Sequence, residues 1–240
     1  MDTFKSFESI LYQNNGSSFK DIALSLFRFQ AENNQVYGRY IRDLSIKPND
    51  ISALDKIPFM PVSFFKNWPV RTGDWQPEIS FTSSGTTASS LSRHDINNLD
   101  FYLKHARRCF ETFFGNVSDY HILALLPSYP ERQDSSLVSM VDYLIKCSDS
   151  PHSGFYLNNK KKLVSDIEIL RKQARKKILL WGVSFALLDL AEEYAPDLSG
   201  CTVIETGGMK GRRREIIRQE LHSILLKGFN VQDIFSEYGM

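Results

Sequence analysis

Cysteine is scarce in this sequence: Cys109, Cys147 and Cys201 are its three members. An odd number without Cys-x-x-Cys spacing argues against a disulfide scaffold and against a thiolate zinc site. Each lies in an apolar context, so all three read as small buried hydrophobes of a reducing compartment. Net charge is nearly absent as well. Lys and Arg number 29 against 28 Asp and Glu, leaving +1. That balance gives no footprint for nucleic acid or an anionic membrane surface. No apolar run approaches the length of a membrane span. The opening Met1-Asp2-Thr3-Phe4-Lys5 lacks a signal-peptide core, and the expected location is cytoplasmic. There is no internal repeat. No Gly-Lys-Ser/Thr completes a Walker A loop, and no Gly-x-Ser-x-Gly elbow supports a serine acyltransferase. His94, His121 and His152 have no second ligand at metal spacing, so no protein metal site is expected.

What is present suits one α/β domain. The chain has 240 residues, 42% hydrophobic and 24% charged, enough for a sizeable core. Residues 1–77 read as a small helical N-terminal region packed on that core. Ile22, Leu26 and Phe29 recur at helical spacing, and a second short helix runs from about Asn33 to Asp43. Ile57-Pro58-Phe59-Met60-Pro61 and Phe64-Phe65 place aromatics around two prolines. That cluster is either the wall of an acyl or aryl pocket or packing for the N-terminal helices.

Residues 78–240 alternate between strand and helix patterns. Ile79-Ser80-Phe81 is a short strand. Ser92-Arg93-His94-Asp95 matches the Ser-x-x-acid capping pattern. It precedes a stripe of Leu99, Leu103, Ala106, Phe110 and Phe113. His121–Leu126 reads as a central parallel strand ended by Pro127, followed by a helix over Ser135–Lys146 and a weak strand at 155–157. Leu163, Ile167 and Leu170 mark the next helix. Ile178–Val183 is a strong strand, with a helix over Phe185–Tyr194 behind it. Cys201–Glu205 is another strand. A helix then carries Ile216, Ile217, Leu221, Ile224 and Leu225, and Val231–Phe235 is the last strand. The pattern implies an open, mostly parallel sheet with helices on both faces, whose ligands bind outside the carboxyl ends of its strands.

Three stretches sit after such strands. Thr82-Ser83-Ser84-Gly85-Thr86-Thr87 belongs to an uncharged hydroxyl-rich loop. It is either a solvated linker or an anion cradle of hydroxyl and backbone donors. Glu205-Thr206-Gly207-Gly208 follows the strand at 201–205. Ser236-Glu237-Tyr238-Gly239-Met240 closes the chain. In this order the three resemble the phosphate loop, the adenine segment and the Tyr-Gly-x-Thr-Glu motif of the adenylate-forming (acyl-activating) superfamily. Within it, Ile204–Glu215 is similar to the acyl-protein synthetase (LuxE-type) branch. Leu126-Pro127-Ser128-Tyr129, Glu131-Arg132 and Ser135-Ser136-Leu137-Val138 carry the same likeness.

The resemblance implies a function for each stretch. Thr82, Ser83, Ser84, Gly85, Thr86 and Thr87 would cradle the ATP phosphates. Glu205, Thr206, Gly207 and Gly208 would bind at the adenine, the two glycines as its floor and Glu205 serving an amide or hydroxyl near the nucleotide; of Glu237, Tyr238 and Gly239 at the same site, Tyr238 would stack on or flank the base. Tyr129, Arg132 and Arg212 would line the substrate side. Glu205 has a second reading, as a strand-end carboxylate paired with Arg212 or Arg213. The implied reaction joins a carboxylic, fatty acid to ATP with Mg2+ as an acyl-adenylate. The acyl group then passes to a thiol acceptor: a protein Cys, an acyl carrier or CoA. Alternatives are an acyl- or aryl-CoA ligase and a catalytically incomplete nucleotide-binding or scaffold domain. The superfamily continues past its Tyr-Gly motif with Thr-Glu and a mobile C-terminal lobe. The core is therefore expected to be incomplete at the C-terminus, and the 240-residue chain a poor catalyst alone.

Overall fold

The described N-terminal residues begin in a helix, α1 (Phe19–Asn33), which turns at Asn34 into α2 (Gln35–Asp43). Asn34 makes that turn by capping α2: its Oδ1 accepts the Tyr37 N–H at 3.0 Å, one of the orphan donors of a first helical turn. Its Nδ2 donates to Thr72 Oγ1. Gly38 lets the helices touch, because a Cβ there would lie 2.6 Å from the Ala31 carbonyl oxygen. Phe27, Ala31, Tyr37 and Ile41 form the small core, with Ile46, Ile51 and Met60 against it. The inward face of α1 is thus Leu24, Phe27 and Ala31. Ile22, Leu26 and Phe29 lie nearly opposite at about 100° per residue and are half-buried. The helix is apolar on more than one side, and α2 selects which side becomes core.

This computed structural model describes residues 19–83, 91–128, 132–173, 175–207, 209 and 211–237. They divide into two units, residues 19–80 with 91–97, and 81–83 with 98–237. A short helix α3 (Phe64–Asn67) belongs to the first. The chain changes unit inside β1 (Ile79–Thr82), which forms a two-stranded sheet with β2 (Arg93–Ile96). Here the expected cap at 92–95 is corrected. Asp95 caps nothing: its Oδ1 accepts from Ser80 Oγ and Arg93 Nε, both at 2.6 Å. Burial raises its pKa, but these bonds and the charges of Arg93 and Arg71 outweigh burial and hold it below the usual carboxylate value. The true cap of α4 (Leu99–Phe114) is Asn98, which accepts the Phe101 N–H.

The second unit is a five-stranded parallel sheet. Its strands are β3 (Tyr120–Leu125), β4 (Gly154–Phe155), β5 (Lys177–Val183), β6 (Thr202–Thr206) and β7 (Phe235–Glu237), in the order β4-β3-β5-β6-β7. Parallel neighbours need crossovers, supplied by α5 (Ser136–Cys147), α6 (Lys160–Gln173), α7 (Ser184–Glu193) and α8 (Arg218–Phe229). Every residue of β3 is buried, as are all but the first of β5 and β6. Successive side chains point to opposite faces, so both faces are covered. Leu163, Ile167 and Leu170 of α6 face inward as their spacing predicts.

Some boundaries and faces differ from expectation. Phe113 is 83% exposed, and Phe114 takes the inward role, stacking on Phe110 and meeting Phe235 edge-on. α8 begins at Arg218, leaving Ile217 66% exposed ahead of it. The last strand starts at Phe235 rather than Val231. Cys109 is exposed and Cys147 and Cys201 are half-buried, so none is a fully buried hydrophobe. Cys109 sits on the outer side of α4, with its Sγ 3.7 Å from His105 Nε2 one turn back.

At Gly182 the sheet and α7 pack closely. A Cβ there would come 2.9 Å from both Leu125 Cβ and Leu187 Cγ. Gly182→Ala should therefore cost roughly 1–3 kcal/mol of overpacking, lowering the thermal midpoint by about 2–10 °C. Differential scanning calorimetry measures it, and an unchanged midpoint would refute the close fit.

Candidate functional site

The parallel sheet brings the carboxyl ends of β5, β6 and β7 together. Register pairs Gly182 with Glu205 and Val183 with Thr206, then Glu205 with Ser236 and Thr206 with Glu237. The groups that gather there are polar, and Ser184, Glu205 and Thr206 among them are buried. Glu205 is 2% exposed. Its Oε1 accepts from Ser236 Oγ at 2.6 Å and lies 3.3 Å from Arg218 Nε and 3.6 Å from His222 Nε2. Its Oε2 is 3.1 Å from Ser184 Oγ. The same Ser184 hydroxyl is 2.6 Å from the Gly207 carbonyl oxygen. It has one proton to donate, so it serves the backbone and the carboxylate in turn. Gly207 itself has φ 69°, left-handed backbone that a Cβ would strain. Beside it the Thr206 hydroxyl is bonded to the Glu237 carboxyl.

Glu237 is the strained member electrostatically. Burial raises its pKa above the ordinary glutamate value; the Thr206 bond pulls it down, and the Glu205 charge pushes it up again. Two carboxyls on neighbouring strands favour a proton on one of them. Tyr102 of α4 completes this side. Its ring packs 5.6 Å from that of Phe81. Burial chiefly, with the field of Glu237, raises its phenol pKa.

Thr82 is held in a second group. Its N–H donates to the Asp134 carbonyl oxygen at 2.8 Å, and its hydroxyl bonds the Asp134 carboxylate. Arg132 Nε meets the other carboxylate oxygen at 3.0 Å. The Thr82 bond, then that of Arg132, holds the Asp134 carboxyl below its usual range. The strand leading into the hydroxyl-rich loop is therefore not a strand of the parallel sheet. It is tied instead to the loop between β3 and α5.

Of the residues singled out in sequence, Glu205, Thr206, Gly207 and Glu237 converge, and Thr82 and Arg132 share Asp134. Ser83 follows directly on Thr82. Ser84, Gly85, Thr86, Thr87, Tyr129, Gly208, Tyr238 and Gly239 lie outside the described residues. The expected pairing of Glu205 with Arg212 or Arg213 is corrected. Arg213 forks onto Asp189 and Glu192 of α7, and Arg212 lies 4.8 Å above the Phe185 ring. Both therefore anchor the segment after Gly207 to α7, leaving Glu205 to Arg218 and His222. Ser184, Ser236, His222, Asp134 and Tyr102 were missed as site residues. Two of them carried a signal: Ser184 stands directly after the strong strand at 178–183, and Ser236 opens the closing motif.

Ser236, His222 and Glu205 are not a catalytic triad. In that arrangement the acid holds one imidazole nitrogen and the serine meets the other. Here both Ser236 Oγ, at 3.3 Å, and Glu205 lie against the same Nε2. Among the described residues no group of three His, Cys, Asp or Glu side chains is placed to hold a metal. Also among them, the Trp181 indole N–H on β5 is a buried donor without a partner. An unmade bond of that kind costs about 1–3 kcal/mol, which water or a ligand acceptor would recover.

The fold and this cluster define a class: a parallel α/β unit with a polar, carboxyl-bearing site at its strand ends. No known protein-family model matches the chain, and no curated protein is significantly similar to it.

The raised Glu237 pKa has a stability consequence. A carboxyl whose folded pKa exceeds its unfolded value stabilises the fold below the unfolded value and loses that contribution as pH rises through the folded one. Glu237→Gln keeps the Thr206 contact and removes the charge. The variant should melt higher than the parent at pH 8, with the gap closing as pH falls toward the ordinary glutamate pKa of about 4.3. Melting curves across that range check it; a gap that widens on acidification would be the wrong sign.

Proposed function

We propose that the α/β unit binds ATP with Mg2+ and activates a carboxylic acid, a fatty acid in our reading, as its acyl-adenylate for transfer to a thiol. The observation that carries this proposal is the convergence of Glu205, Thr206, Gly207 and Glu237 at the ends of adjacent parallel strands. Ligands of such sheets bind outside those ends. The donor set suits the adenosine end of a nucleotide. Carboxyl oxygens accept hydrogens from an amine or from ribose hydroxyls but repel phosphate. A glycine with left-handed backbone gives a floor with no side chain to intrude. The phosphate end falls to Ser83 and the hydroxyls that follow it in sequence, with Thr82 holding the start of that stretch through Asp134. Mg2+ takes most of its ligands from phosphates and water and supplies charge neutralisation there.

In the first step of this chemistry, a carboxylate oxygen forms a bond to the α-phosphorus and pyrophosphate leaves with the electrons of the broken P–O bond. In the second, a thiolate adds to the acyl carbon and AMP leaves. Neither step needs a protein nucleophile, so positioning and electrostatics do most of the work. Buried, bonded groups such as Glu205 and Ser184 suit that task, because their geometry is set before substrate arrives.

The test is calorimetric titration of the chain with ATP and Mg2+, beside Thr206→Val and Gly207→Ala. Saturable binding is expected in the parent and a loss of about tenfold or more in each variant. ATP–pyrophosphate exchange stimulated by a fatty acid would then establish adenylation. A folded parent that does not bind ATP would refute the proposal.

A further inference from the structure

The N-terminal unit carries a half-open cavity of about 430 Å3, bounded by α1, α2 and the segment from Leu54 to Val70. Its walls are apolar: Leu26, Phe27, Leu54, Ile57, Met60 and Phe65 supply most of them. Among the described residues no charged side chain lines it. Phe19 and Phe59, 60% and 81% exposed, stand among its lining residues. Ligand sites are typically cavities of about 300–1,000 Å3 with apolar walls and few polar groups, and this one has that make-up.

Its polar residues are three, and two are committed. Asn34 caps α2 and bonds Thr72. The Tyr37 hydroxyl donates to the Pro58 carbonyl oxygen at 2.7 Å, and burial pushes its pKa up to about 12. Gln30 is the third. It is half-buried, and its carboxamide makes no hydrogen bond to another described residue. An amide offers both donor and acceptor, so it can meet a hydroxyl or a carbonyl. With no cation on the walls, an ionised head would lie unpaired in an apolar space at a cost of several kcal/mol. At about 30 Å3 per water-sized group, the volume holds roughly a dozen heavy atoms.

We infer that this cavity binds the hydrocarbon chain of a medium-chain molecule whose neutral oxygen-bearing head, an alcohol or ester, is held by Gln30. The site belongs to the N-terminal unit and does not depend on the nucleotide proposal above. The experiment is calorimetric titration of the full chain with 1-decanol and, at pH 8, with decanoate. The parent binds decanol saturably and decanoate at least tenfold more weakly. Leu26→Trp fills the cavity and abolishes binding with the circular dichroism spectrum retained. Should that variant fail to fold, Ala23→Leu fills the same wall with a strong helix former. Gln30→Leu weakens decanol binding roughly three- to tenfold, the loss of one hydrogen bond. No saturable binding of decanol by the folded parent overturns the inference, as does unchanged binding in the cavity-filling variant. Equal affinity for decanoate, or no effect of Gln30→Leu, overturns the assignment of a neutral head held by Gln30.

Discussion

A carboxylate shut away from water cannot stand alone, and Glu205 is such a group. An ion taken into a protein interior loses several kcal/mol of hydration, which only close, well-aimed donors offset. Glu205 draws its hydrogen-bond donors from Ser184 at the start of α7 and Ser236 on β7, with the Arg218 guanidinium and the His222 ring of α8 beside it. One side chain thus couples three successive strand ends and two helices. The polar character of this end of the sheet follows. Hydroxyls are held inward because a charge requires them, and the Gly207 carbonyl is held because Ser184 also serves it.

The strand order gives that cluster its place. β3 lies between β4 and β5, so the chain first moves to one side of β3 and then returns to build outward through β5, β6 and β7. All five strands run the same way, and the loops that leave them open on one edge. Helices cover the faces of the sheet, and ligands of such sheets bind outside the strand ends. Thr82 reaches the same unit by another route, through two bonds to Asp134 in the loop after β3.

The sheet was legible in sequence because its central strands are buried on both faces. Such strands need no alternation of apolar and polar residues: His121–Leu126 and Ile178–Val183 read as continuous apolar runs, and both are strands. Faces and ends were harder. Phe113 and Phe114 are adjacent aromatics with equal claim to the core, and only the position of Phe235 and Phe110 decides between them. Ser92–Asp95 has the letters of a helix cap, but Ser80 and Arg93 bind Asp95 in a strand pairing that no local pattern reveals. In the site, motif order pointed to Glu205, Thr206, Gly207 and Glu237. The partners of Glu205 lay beyond reach, because its salt bridge to Arg218 skips the nearer Arg212 and Arg213. Those two are drawn to Phe185, Asp189 and Glu192 by the fold of the α7 region, a tertiary matter.

On one side the described sheet ends in a very short strand, the two residues of β4. An edge strand offers its unpaired N–H and C=O groups to any passing chain, and the gain grows with the number of bonds that can be made. A strand this brief provides few, so on that side the six-residue β3 lies behind a border that gives another chain little to pair with.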